Sequence, residues 1–355
     1  MITTILFDLD GTLVDTAPDL AHALNLQLIK HGKTPLAYEA IRPFASHGSR
    51  GLVGLGFGVL PHHDNFTQMR DEYLSIYGTV NMRSPMLLPG IADLLQAIET
   101  IGITWGIVTN KPRRFTENLI ESMGLNLQNR AACIVCGDDA PQPKPSPATL
   151  LMACEQIGVK PENCIYVGDA ERDITAGKAA GMKTVVALFG YIDVTDKPAE
   201  WGAHVQIGKP LSLLNYIDLE FLDEVLTEYN FHDNPRLGVA QLNGVANIFE
   251  SIFDTVADEY TDDYYLSPID EDLLAFVLEH WVIWCRWNTA FNAKQTTLES
   301  HPALPEDLKR HFELVHMIGE LKSNPNNRQQ YLGVFSSYQQ GTQKKFKVIW
   351  VPKQL

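Results

Sequence analysis

Two aspartates stand two residues apart in the stretch ILFDLDGTLVDT, residues 5–16, directly after three apolar residues. Ile5, Leu6 and Phe7 read as a buried strand, and a lone carboxylate is costly to bury unless it is paired or bound to a metal. Alternate strand residues share a face, so Asp8 and Asp10 can point into one pocket just past the strand end. A carboxylate placed there can attack phosphorus and form an aspartyl-phosphate. A second can protonate a leaving oxygen and then deprotonate water. The plainer alternative is a strand running into a polar turn, because Asp10 and Gly11 make a common turn dipeptide.

Further features of the same kind follow along the chain. Thr109 and Asn110 close GIVTN, Lys144 lies in PQPKPSP, and Asp169 closes IYVGD with Asp173 four residues later. In open parallel sheets, ligands bind beyond the carboxyl ends of the strands. Asp8, Asp10, Thr109 and Asp169 all fall at such ends, and Lys144 can reach them from a loop. Oxygen-only ligation by carboxylates suits Mg²⁺. A hydroxyl, backbone N–H groups and a lysine suit the equatorial oxygens of a phosphoryl group in transfer. For single residues the alternatives stay open: Gly11 and Thr12 as a turn, Asp173 as a helix-start charge, Asn110 as a loop orienter.

FDLDGTLVDT, VTN, the lysine of PKP and VGDAERD resemble, in order, the four motifs of the haloacid dehalogenase-like phosphatases. The resemblance spans residues 1 to about 217. It implies Asp8 as nucleophile and Asp10 as general acid/base. It also implies Mg²⁺ held by Asp8, the Asp10 carbonyl and Asp169 with support from Asp173. Thr109 and Lys144 would bind the phosphoryl group, with Gly11, Thr12 and Asn110 around it. The stretch FGYIDVTDKPAEWGAHV, residues 189–205, looks like the N-acetylmuramic acid 6-phosphate phosphatases of cell-wall recycling, while the catalytic motifs are equally those of phosphoglycolate phosphatases. Both substrates carry a carboxylate, which Arg50 in FASHGSRGLVGLG can bind bidentately; the alternative is an exposed helix-start arginine. A scaffold built on a phosphatase fold is the reading from another class.

The elements that must position these residues follow from the patterning. Apolar runs at 4–7, 104–108, 132–136, 164–167 and 184–188 alternate with helical stretches. This predicts an α/β, Rossmann-like parallel sheet core over 1–14 and 89–217. Residues 15–88 carry helical patterns only and are too long for a loop, so they read as an inserted helical cap. After Tyr216 the composition shifts: from Asp218 to Ala275 there are fifteen Asp or Glu, one Arg and no Lys. The periodicity there predicts a mostly α-helical, acidic domain over 218–355, ending in a β-hairpin around QGTQ. Trp281, Trp284 and Trp287 recur at intervals of three on one helical face. A protein partner or self-association is the expected use of this tail.

The chain has 355 residues and a formal charge of −15. That argues against nucleic acid or an anionic membrane as partner; a small phosphorylated, carboxylated substrate is what the resemblance implies. The opening residues lack the basic region of a signal peptide, and no apolar run is long enough to span a membrane. With five scattered cysteines, the expectation is a reduced, cytoplasmic protein.

Overall fold

The computed structural model describes residues 1–80, 83, 85–217, 222–229, 234–340 and 343–353. The chain forms two compact units, Met1–Asp218 and Leu219–Leu355.

The first unit is built on a six-stranded sheet. Its strands are β1 (Thr4–Phe7), β4 (Thr104–Val108), β5 (Ile134–Val135), β6 (Cys164–Gly168), β7 (Lys183–Ala187) and β8 (Val205–Ile207), in the order β5-β4-β1-β6-β7-β8. All neighbours run parallel. β1 is buried along its whole length, as expected of an apolar central strand covered on both faces. It is flanked by β4 and β6, with Phe7 level with Ile107 on one side and Val167 on the other. Asp8, Thr109 and Asp169 are therefore delivered by three adjacent strand ends. β8 escaped the sequence reading because three residues are too few to show a period.

Between β1 and β4 the chain leaves through β2 (Val14–Asp15) and returns through β3 (Met86–Leu87), which pair antiparallel. The intervening helices are α1 (Ala17–Lys30), α2 (Tyr38–Ile41), α3 (Gly48–Phe57) and α4 (Phe66–Val80), with a 3₁₀ turn over Arg42–His47. They share one apolar core that includes Leu20, Leu24, Leu52, Tyr73 and Tyr77. Helices α5 (Ile91–Thr100), α6 (Arg113–Ser122), α7 (Leu127–Arg130), α8 (Ala148–Ile157) and α9 (Glu171–Ala179) complete the α/β alternation. All five cysteines are free thiols. Among the described residues no helix is long and apolar enough to cross a membrane.

The second unit corrects one expectation. Its terminal hairpin is present, with β13 (Gln329–Gln340) paired to β14 (Gln343–Pro352), and two helices are present, α10 (Glu271–Asn292) and α11 (Leu308–Ile318). It is not mostly helical, however. β9 (Asp223–Tyr229), β10 (Leu237–Leu242), β11 (Val245–Asp254) and β12 (Glu259–Pro268) join the hairpin in a closed barrel, ordered β10-β11-β12-β13-β14-β9. The helices enter between β12 and β13. The decisive local signal is Asn243-Gly244, where both residues take positive φ (54° and 80°) in a two-residue turn between β10 and β11. Asn-Gly between apolar runs is a strong hairpin signal, and the flanking segments are rich in the β-branched and aromatic residues that favour strands.

The barrel is filled by rings. Phe249, Tyr264, Phe335 and Trp350 lie with centroids 5.4–6.0 Å apart. Trp350 is buried and donates its indole N–H to the Gln241 carbonyl at 3.0 Å. Trp350→Ala should cost about 3–5 kcal/mol, the usual scale for a large aromatic removed from a core. Urea unfolding followed by circular dichroism should show the second unit melting early, with the first unit's transition in place.

Candidate active site

Lys144 is the centre of the site. Its ammonium group is fully buried and lies 2.9 Å from Asp8 Oδ1 and 2.7 Å from Asp173 Oδ1. It also donates to the Val108 carbonyl at 3.0 Å and to the Tyr166 hydroxyl at 2.7 Å. The loop that carries it is pinned by Asn110. The side-chain amide of Asn110 donates to the Lys144 carbonyl at 2.9 Å and accepts from the Lys144 N–H at 2.8 Å. Asp173 sits in the first turn of α9, and its other oxygen accepts from the Ala170 N–H at 3.1 Å. It is therefore a helix-start cap and a partner of the lysine at once.

Asp169 follows β6 and is buried. Its Oδ2 accepts from the Ser46 hydroxyl at 2.7 Å and from the Tyr191 N–H at 2.8 Å. Its Oδ1 is buried with no hydrogen-bond partner. Close approach of the surrounding backbone makes this possible. Gly11 has φ 81°, and a Cβ there would stand 2.2 Å from Asp169 Oδ2; one on Gly190 would stand 2.3 Å from the Asp169 Cβ. Burial, with the charges of Asp8 and Asp173, pushes the Asp169 carboxyl up to about 7. Burial likewise raises Asp8, against the pull of Lys144.

This donor set fits a divalent cation. Carboxylate oxygens of Asp8, Asp169 and Asp173 lie within 4.8 Å of one another, the Asp169 Oδ1 is without a partner, and an all-oxygen set of this kind suits a hard divalent cation.

Asp10 lies two residues beyond Asp8 in a polar pair of contacts. Thr16 Oγ1 donates to its Oδ1 at 2.5 Å, and Lys111 Nζ reaches the same oxygen at 2.9 Å. Lys111 is buried, lies over the Tyr77 ring with Nζ 4.8 Å from the centroid, and is raised above its ordinary pKa by Asp10 and Tyr77 despite its burial. The sequence reading missed Lys111, Ser46, Arg172 and Tyr191 as site residues. A lysine directly after VTN was the available signal for the first. The Tyr191 hydroxyl accepts from the N–H groups of Thr16 and Ala17 at 2.6 and 3.0 Å and lies 2.7 Å from Asp15 Oδ1. It joins the start of α1 to the loop that holds Asp169.

A cavity of about 470 Å³ opens over these groups. Asp8, Asp10, Thr109, Lys144, Arg50 and Arg172 are among its lining residues. Thr109 is buried, and its hydroxyl oxygen accepts from the Lys111 N–H at 3.1 Å, which leaves its proton free to donate. Arg50 is exposed on the rim and makes no hydrogen bond or ion pair among the described residues. Two of the four residues expected around the substrate are placed otherwise. Gly11 and Thr12 do not line the cavity: Gly11 serves the approach to Asp169, and Thr12 is fully buried. Asn110 does line it, but the contacts of its amide are with the Lys144 backbone.

A parallel α/β sheet with buried carboxylates and a lysine gathered at its central strand ends defines a hydrolase site suited to phosphoryl groups. The match to the family model of haloacid dehalogenase-like hydrolases covers residues 5–187, and the chain belongs to that family. It is 37% identical over 222 residues to the N-acetylmuramic acid 6-phosphate phosphatase of Pseudomonas aeruginosa, spanning 62% of this chain and 97% of that protein. It is 39% identical over 211 residues to a phosphoglycolate phosphatase of Xanthomonas campestris, spanning 59% of this chain and 93% of that protein. The crystal structure of a predicted phosphoglycolate phosphatase from Haemophilus somnus aligns with a TM-score of 0.53 at 25% identity, over 61% of this chain and 97% of that one. Within the family the chain is of the phosphatase kind, a phosphoric monoester hydrolase.

The raised Asp169 carboxyl makes the metal-free protein sensitive to pH. Between about 4 and about 7 the folded state binds a proton there that the unfolded chain has released. That contribution to stability is complete below about 4 and is lost as pH rises through about 7. EDTA-treated protein should therefore lose melting temperature from pH 5.5 to 7.5, and Asp169→Asn should flatten that slope in the same scans.

Proposed function

We propose that this protein is a Mg²⁺-dependent phosphomonoesterase that works through an aspartyl-phosphate on Asp8, with N-acetylmuramic acid 6-phosphate as its substrate. The observation that carries the reading is the pairing of Asp8 with the buried Lys144 at the mouth of the central strand, with Asp10 beside it in the same cavity. Asp8, Asp169 and the Asp10 carbonyl would hold Mg²⁺, with Asp173 in support, and the ion would supply positive charge to the phosphoryl oxygens. We assign the helices from Ala17 to Val80 the role of a cap that excludes water from the cavity.

In the first step an Asp8 oxygen attacks phosphorus and the ester P–O bond breaks. Asp10 gives its proton to the leaving oxygen. In the second step water attacks phosphorus, its proton passes to Asp10, and the Asp8 carboxylate is released. Lys144 holds Asp8 in place and meets the developing negative charge, and the Thr109 hydroxyl donates to a phosphoryl oxygen. Asn110 acts through Lys144 by fixing its loop. Asp8→Asn should lose nearly all turnover, because the amide is a far poorer nucleophile. Asp10→Asn should slow kcat by roughly 10²–10⁴, the usual scale of general acid–base help. Steady-state kinetics with added Mg²⁺ and with EDTA check both, and EDTA should silence the wild type reversibly.

The choice of substrate is supported by the relative from Pseudomonas aeruginosa and by a cleft of about 470 Å³, which has room for a sugar ring beyond the phosphoryl group. Trp201 and Tyr191 line a smaller adjoining cavity of about 230 Å³, next to Asp169. The relative from Xanthomonas campestris favours 2-phosphoglycolate as second reading. A side-by-side measurement of kcat/KM should favour N-acetylmuramic acid 6-phosphate, and a tenfold preference for 2-phosphoglycolate would reverse the order. Arg50→Ala should depress kcat/KM for both carboxylated substrates far more than for p-nitrophenyl phosphate, and equal losses would remove Arg50 from the carboxylate role.

A further inference from the structure

A second and larger cavity, of about 880 Å³, lies within the second unit between the barrel and α10. Its volume is within the range of small-molecule sites. One wall comes from β9 and the start of β14, with Glu228, Tyr229, Lys344 and Lys345. The other is a stripe of α10 with Trp281, Trp284, Asn288 and Asn292, residues spaced to share one helical face.

The three tryptophans of α10 are not equivalent. Trp287 is buried, stacks on Phe291 at 5.1 Å and donates its indole N–H to Ser300 at 3.0 Å. It is a core residue. Trp281 and Trp284 are half-buried and stack on each other at 4.7 Å, and Tyr229 stands edge-on to Trp281 at 5.2 Å. Neither of their indole N–H groups makes a hydrogen bond among the described residues, although tryptophan N–H groups in packed settings usually find a partner.

The polar groups have a consistent sense. The unit is acidic overall, yet among the described residues two lysines line this cavity against one carboxyl. Burial pushes that carboxyl, Glu228, up to about 7, with Lys344 and Lys345 pulling the other way. Asn292 Nδ2 lies 3.5 Å from Asn288 Oδ1, so Asn288 Nδ2 and Asn292 Oδ1 remain to bind elsewhere. His280 is committed within the protein: Nε2 lies 3.0 Å from His311 Nδ1, and Nδ1 lies 3.4 Å from the Tyr229 hydroxyl. It offers no ring nitrogen to a metal.

We propose that this cavity is a binding site for an acidic monosaccharide. Its apolar ring face would lie on the Trp281–Trp284 pair, its hydroxyl or amide groups would meet Asn288, Asn292 and the indole donors, and its carboxylate would face Lys345. A stacked aromatic pair with scattered amide donors and acceptors suits a small polyhydroxylated ring. Among the described residues no arginine lines the cavity to clasp a phosphate by two parallel bonds, which sets nucleotides aside. The proposal stands apart from the substrate assigned to the first unit.

Isothermal titration of the full chain with glucuronic acid and N-acetylmuramic acid tests it, with N-acetylglucosamine and AMP as controls. The acidic sugars should bind about tenfold or more tighter than N-acetylglucosamine, the scale of one charge-assisted hydrogen bond. Trp284→Ala should weaken them by a similar factor, and Lys345→Ala should reduce them to the level of the neutral sugar. Hydrolysis of p-nitrophenyl phosphate should be unchanged in both variants, which also shows that the first unit is intact; far-UV circular dichroism checks the second. Lys345 is an exposed residue, so its variant keeps the test open if Trp284→Ala misfolds. Absence of binding by either acidic sugar, binding equal in wild type and Lys345→Ala, or tighter binding of AMP would each overturn the assignment. The middle result would place the sugar in the cleft of the first unit.

Discussion

The buried ammonium group of Lys144 is the interaction on which the first unit's chemistry depends. Three carboxylates, Asp8, Asp169 and Asp173, converge below water access, and Lys144 touches two of them directly. Without that charge, burial and mutual repulsion would drive the acids toward their neutral forms. Breaking such a buried pair costs more than it costs to omit it altogether, and the surrounding structure reflects that. The Val108 carbonyl, the Tyr166 hydroxyl and the Asn110 amide all serve to hold the lysine or its loop. The Asn110 amide thus spends its contacts on the loop of the lysine.

Asp169 shows how the inserted helices and the sheet are tied together. One of its oxygens takes hydrogen bonds from Ser46, in the insertion, and from the Tyr191 backbone, in the loop after β7. The Tyr191 ring then reaches the N–H groups that open α1 and also carries the guanidinium of Arg42 at 5.0 Å. The carboxylate suited to a cation and the entrance to the helical insertion therefore share one side chain. The fit requires two glycines, Gly11 and Gly190, because a Cβ on either would occupy the space of Asp169.

The second unit is organised by a different constraint. A barrel has no free edge, so its six strands satisfy one another and leave the outer face of β9 and β14 free to form a wall with α10. The acidic residues that mark this segment in sequence include Asp223, Glu224 and Glu228 of β9 and Asp254, Glu259, Asp262 and Asp263 of β11 and β12. On strands, alternate positions can carry charge to solvent while their neighbours fill the interior.

By itself the sequence determined the α/β alternation and the place of the insertion, and it marked Asp8, Asp10, Thr109, Lys144, Asp169 and Asp173 as candidates, which the structure gathers at one end of the sheet. These are local signals: strand ends, helix starts and turn residues act through their immediate neighbours. The sequence also held the Asn243-Gly244 turn, whose meaning was outweighed by apolar spacings that fit a helix and a strand about equally well over short runs. Only the tertiary structure decided which groups meet. Lys111 on Asp10, Ser46 and Tyr191 on Asp169, and Asn110 on Lys144 join residues from 22 to 123 positions apart. Their contacts arise because parallel strands set distant segments side by side. Barrel closure is of the same kind: β9 meets β14 more than a hundred residues later, through pairs such as Val348 with Asp223, and a local period carries no record of such a partner.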